Sequence, residues 1–182
     1  MRSPEEGPEV GTTPAGLREE VLRAGLDLFA AYGVRFAQIP FEEAAAGNRP
    51  PLPPVLFLGV CGFGGRAVTG HVILGATEGV LTRSNTTRST SDDWMAELAN
   101  QFLGRIKNGL LRQGIQVHRV PPVVLKGAAV MLAHNQDEAP LELADGRDRV
   151  LIWLDAEPST DDAPAVLEPP TDVLHEGEMV MF

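Results

Sequence analysis

Apolar residues recur at helical spacing early in the chain, at Leu17, Val21, Leu22, Leu26, Leu28 and Phe29, and Gly33 stands where such a helix would end. Before them, residues 1–14 mix Pro, Gly, Glu and Thr without a period, a composition that buries too little apolar surface to offset the ordering of the chain. The pattern predicts a disordered N-terminal tail, a first helix, and then a short strand over 34–39. A connector reading FEEAAAGNRPPLPP follows, and its prolines forbid regular structure. Beyond it, VLFLGVCGF and RAVTGHVIL are β-forming runs joined at Gly64-Gly65, which predicts a hairpin. A third strand or a short helix is expected around 79–82, ahead of the polar stretch RSNTTRSTS.

The strongest helix is predicted over 92–113 and ends at Gly114. Thr90 or Ser91 can cap its free backbone N–H groups, and Asp92 and Asp93 complement its dipole. After it, IQVHRV, VVLKG, AAVMLAH, LELA and RVLIWLDA predict further antiparallel strands, with Pro121-Pro122 and Asp145-Gly146 at turns. This order predicts an α+β fold, long helices packed on a largely antiparallel β-sheet, in one domain over 15–156 with its strand order open. Residues 157–182 are expected to form an acidic, Pro-rich, disordered tail.

Composition narrows the function classes. The chain has 182 residues, 43% of them hydrophobic and 22% charged, enough for a core without disulfides. Its single cysteine, Cys61, cannot form an intramolecular disulfide or a multi-cysteine metal site. Net charge is −10, which makes a nucleic-acid backbone an unfavourable partner. Much of the excess lies in the tail from Glu157, where seven carboxylates meet no Lys or Arg. With no secretory signal and no membrane span in the sequence, a soluble cytoplasmic protein is expected.

On the predicted 92–113 helix, Met95, Leu98, Ala99, Phe102, Leu103, Ile106 and Leu110 fall in one apolar arc at 100° per residue. The opposite arc holds Asp93, Glu97, Asn100, Gln101, Gly104, Lys107 and Asn108. Within it Asp93, Glu97, Asn100 and Gly104 share a stripe of about 60°, so a carboxylate and a carboxamide lie side by side. A solvated helix face simply needs polar residues, but Asn100, Gly104, Asn108 and Gly109 weaken the helix by about 2 kcal/mol or more relative to better formers. Gly104 lies between Glu97 and Asn100 in angle, and its bare backbone would let another molecule approach the amide. Asp93 also has a structural reading, as a first-turn acid serving the dipole.

At these residues the sequence resembles the CheX branch of the CheC/CheX/FliY chemotaxis phosphatases. The resemblance rests on Asp93, Glu97 and Asn100 at i, i+4 and i+7, followed by PVVLKG at 122–127. It is best over 90–127 and compatible over about 16–156. It implies Glu97 and Asn100 as catalytic residues that reach into a phosphorylated CheY-type receiver domain, with Asp93, Gln101, Gly104 and Lys107 contacting that partner. By the same resemblance Asn100 positions water, Glu97 pairs with the receiver's active-site Lys, Mg2+ sits on the receiver, no cofactor or metal is held on this chain, and a homodimer is expected. The alternative is a non-catalytic module that uses the same face to dock on a receiver or scaffold. The connector at 47–54 and the acidic tail depart from the family's compact form.

Other constellations carry less. Gly62-Phe63-Gly64-Gly65 lacks the Gly-Lys-Ser/Thr ending of a phosphate-binding loop and precedes a strand, so a hairpin turn is the better reading. His71, His118, His134 and His175 have no metal-ligand spacing, and Cys61 reads as a small core residue. Trp94 and Trp153 read as core anchors, with a partner contact as the alternative for Trp94. The terminal HEGEMVMF reads as a disordered end, or as a docking peptide.

Overall fold

The computed structural model describes residues 15–40, 56–127, 140–146 and 148–159. The N-terminal tail, the proline-rich connector, AAVMLAH with His134, and the acidic tail beyond residue 159 with His175 and HEGEMVMF lie outside them.

Helix α1 spans Ala15–Ala31 and buries Leu17, Val21, Leu28 and Phe29. Gly33 ends it at φ 75°, where Val34 N–H donates to the Phe29 carbonyl at 3.0 Å, a closure that needs the left-handed backbone glycine tolerates. The predicted strand over 34–39 is shorter, β1 at Ala37–Ile39. The hairpin forms as β2 (Leu56–Gly64) and β3 (Val68–Ala76), with Gly64 opposite Thr69 and the turn moved just past Gly64. The segment around 79–82 is helical, α2 at Glu78–Ser84, capped by Thr77. Helix α3 spans Ser91–Arg112 with Thr90 as its N-cap and Gly114 at φ 79° beyond its end.

After α3 come β4 (His118–Arg119), β5 (Val123–Gly127), β6 (Leu141–Ala144) and β7 (Arg149–Pro158). IQVHRV thus contributes only two strand residues, and β7 carries Glu157 and Pro158, the first residues of the expected tail, into pairing with Thr69 and Val68. Among the described residues the seven strands form one antiparallel sheet in the order β1-β6-β7-β3-β2-β4, with β5 also paired to β2. An α+β fold with helices on an antiparallel sheet is what the chain adopts.

Strand alternation sends side chains to both faces of this sheet. Phe57, Cys61, Val72, Val150 and Ile152 join the main core with α1 and α3, while Leu58, Ile73, Leu151 and Trp153 form a smaller cluster on the other face. Small residues set how closely α3 lies on the sheet. A Cβ added at Gly59 would fall 2.5 Å from the Ala99 Cβ, so strand and helix meet there almost backbone to backbone. Between the helices, a Cβ at Gly109 would fall 1.6 Å from Glu20 Oε1. Glu20 is buried there and held by Arg23 and, at 3.5 Å, by Arg112. Helix packing therefore accounts for Gly109, whose weak helix propensity was counted with that of Asn100, Gly104 and Asn108.

Candidate functional site

The N-terminus of α3 is fixed by a reciprocal cap. Asp93 N–H donates to Thr90 Oγ1 at 3.2 Å, and the Thr90 hydroxyl donates to Asp93 Oδ2 at 2.7 Å. Asp93 thus serves the helix start, while its side chain stays exposed at the head of the outward stripe. Below it Glu97 and Asn100 are exposed and Gly104 and Lys107 are half-buried, each on the side of α3 away from the sheet. The Asn100 side chain is exposed and makes no hydrogen bond to another described side chain. Buried Met95, Leu98, Ala99, Phe102, Leu103, Ile106 and Leu110 face the core from the opposite arc.

Two flanks frame this stripe. On the α1 side, Gln101 is half-buried. Its amide N–H donates to Glu97 Oε1 at 2.6 Å, and its Oε1 accepts from the Tyr32 hydroxyl at 2.7 Å. Tyr32 meets Trp94 edge-on, with ring centroids 4.9 Å apart. Trp94 is 2% exposed and its indole N–H donates to Ser84 Oγ at 3.0 Å, which makes it a core anchor and rules out the partner-contact alternative. On the sheet-edge side Arg119 reaches over from β4. Its Nη1 lies 3.6 Å from where a Gly104 Cβ would stand, which puts a guanidinium beside the ridge one turn beyond Asn100.

A cleft of about 320 Å³ opens beside Glu97, between Tyr32, Trp94 and the loop carrying Thr87 and Ser89. That loop is the polar RSNTTRSTS stretch, and Asn85 organises it. Asn85 Oδ1 accepts from the Thr87 N–H at 3.0 Å while its Nδ2 donates to the Ser89 carbonyl at 2.8 Å. Arg88 sits at its tip with φ 61°. Tyr32, Arg119 and this loop escaped sequence reasoning. The Asn-Thr-Thr run was the one local signal, since a side-chain amide followed two residues later by a free N–H favours such a turn.

The other candidates have structural explanations. Burial pushes the Cys61 thiol up to about 12, so it remains protonated, and its Sγ lies 3.5 Å from the Ala99 carbonyl. A Cβ on Gly65 would fall 2.1 Å from the Gln116 carbonyl oxygen, so the glycine there answers a close crossing of chains. His71 faces Asp155 at 3.8 Å, and among the described residues no three His, Cys, Asp or Glu side chains converge on a metal position. No helix among them is long and apolar enough to cross a membrane.

No protein-family model and no curated protein matches the chain. Solved structures do. Chemotaxis protein CheX from Vibrio vulnificus superimposes with a TM-score of 0.64 at 15% identity, covering 81% of this chain and 100% of that one. A CheC-like superfamily protein from Shewanella sp. PV-4 gives 0.65 at 16% identity, covering 80% and 99%. The CheX–CheY–BeF3–Mg2+ complex from Borrelia burgdorferi gives 0.55 at 15% identity, covering 78% and 97%. The fold is that of the CheX/CheC-like chemotaxis proteins, over most of the chain.

Proposed function

We propose that the protein hydrolyses the aspartyl phosphate of a CheY-type receiver domain in chemotaxis or a related two-component pathway. The observation that carries this reading is the exposed pairing of Glu97 and Asn100 on the outward side of α3, in a fold shared with a CheX that has been captured with CheY. An aspartyl phosphate is an activated acyl phosphate, and its receiver supplies Mg2+, so the phosphatase has only to place water in line with phosphorus. The Asn100 amide both donates and accepts, which suits holding that water without a change of charge. Glu97 accepts the ammonium of a receiver lysine and sets the docked pose. Asp93 and Lys107 border the contact, and Arg119 brings a cation beside the ridge where the phosphoryl dianion would lie. No cofactor on this chain takes part. Receivers of this kind are cytoplasmic, so the protein would work in that compartment.

Phosphate release tests the reading. Receiver domains of the CheY type from the same genome are phosphorylated with acetyl phosphate, and decay is followed with and without the protein. Wild type should accelerate decay, Asn100→Ala should bind the receiver yet abolish acceleration, and Glu97→Ala should damage both. Hydrolysis at the wild-type rate by either variant would remove the assignment. Binding without acceleration by the wild type would instead mark a docking module.

A further inference from the structure

Tyr32, Gln101 and Glu97 form one hydrogen-bonded chain, and its direction is set by chemistry. The Tyr32 hydroxyl donates to Gln101 Oε1 at 2.7 Å, which turns the Gln101 NH2 toward Glu97 Oε1 at 2.6 Å. Tyr32 is held at both ends of its ring: by the edge contact with Trp94, itself bonded to Ser84, and by its place at the C-terminus of α1, where Gly33 closes the helix. The root of the chain is thus half-buried and packed against the core, and its tip is an exposed carboxylate.

An exposed Glu on a helix samples several rotamers, and freezing them is part of the cost of any contact it makes. We infer that Tyr32 and Gln101 are positioning residues, which hold the Glu97 carboxylate in one orientation before a partner arrives. Glu97 Oε1 is committed to Gln101, leaving Oε2 to meet the partner's cation. Gln101 then acts on the partner through Glu97, in place of the direct contact expected for it. This inference rests on the receiver-docking reading, which supplies the partner.

Tyr32→Phe is the suitable perturbation, because it keeps the ring against Trp94 and removes only the donor. One readout needs no partner: the Gln101 side-chain amide protons should exchange slowly and resonate downfield in wild type, and lose both features in Tyr32→Phe. Unchanged amide signals would overturn the chain. The second readout is affinity for a CheY-type receiver loaded with beryllofluoride and Mg2+. Tyr32→Phe should weaken binding by about threefold to tenfold, the range of one hydrogen bond's net contribution, with the turnover rate at saturation nearly unchanged. In a Glu97→Ala background the same substitution should cost nothing further. An equal loss in both backgrounds, or none in wild type, would overturn the positioning role. If wild-type protein binds no receiver while the amide signals behave as expected, the docking reading fails and the hydrogen-bonded chain stands.

Discussion

Replacing Gly104 with alanine should make the protein more stable and less active. Glycine inside a helix is less favourable than alanine by about 0.8–1 kcal/mol. Among the described residues nothing opposes the added methyl, since its nearest neighbour there, Arg119 Nη1, stands at 3.6 Å, an ordinary van der Waals contact. For a chain of this size that gain should raise Tm by about 2–5 °C. On the partner side the methyl occupies the gap between Glu97 and Asn100 through which another backbone would approach, and overfilling a close contact costs about 1–3 kcal/mol. The rate of receiver dephosphorylation at low receiver concentration should therefore fall by about tenfold. Gly109→Ala is the control five residues along the same helix. Its methyl would meet Glu20 at 1.6 Å, so the same exchange should lower Tm. Paired differential scanning calorimetry and phosphate-release assays separate the cases. A Gly104→Ala protein with raised Tm and unchanged dephosphorylation would show that the bare ridge receives no partner, and a lowered Tm would show that the packing around α3 has been misjudged.

Arg119→Ala should slow receiver association and flatten its dependence on salt, while Arg119→Lys restores most of the rate; stopped-flow mixing at two ionic strengths measures both. The Cys61 thiol should resist alkylation at pH 8 in the folded protein and react once urea unfolds it. Its pKa is raised from 9.0 to about 12 in the fold, so the unfolded chain gives up the proton first. Stability should therefore be intact below pH 9 and fall as pH rises above it, more steeply than in Cys61→Ala, as urea midpoints at pH 8 and pH 10 would reveal.

Helix α3 was legible because its apolar period, its Thr90 cap and its terminal Gly114 all point to the same element. The hairpin was legible for similar reasons, alternating β-formers around a Gly-rich turn. What escaped depends on distance along the chain. Tyr32 and Gln101 are 69 residues apart, and no local pattern brings a helix end to that helix face. The pairing of β1 with β6 joins Ala37 to Ala144, and Arg119 lies in a strand of two residues that shows no period. The reason for Gly109 was not legible either, because low helix propensity does not say which side of the helix requires it. Glu20, buried on α1, supplied the reason.

The contact of Gly59 with Ala99 reaches past packing. Ala99 lies immediately beside Asn100 in the chain, and the strand seats it so closely that the helix backbone under the amide has no space in which to recoil. A molecule pressing on that amide pushes through the helix onto a sheet already tied by its ladders. A receiver docked there as proposed would lose little motional freedom on contact, which favours rapid, short-lived encounters over slow, adaptive ones. Enlarging Gly59, though it touches no partner, would loosen that seat and should blunt the encounter from beneath.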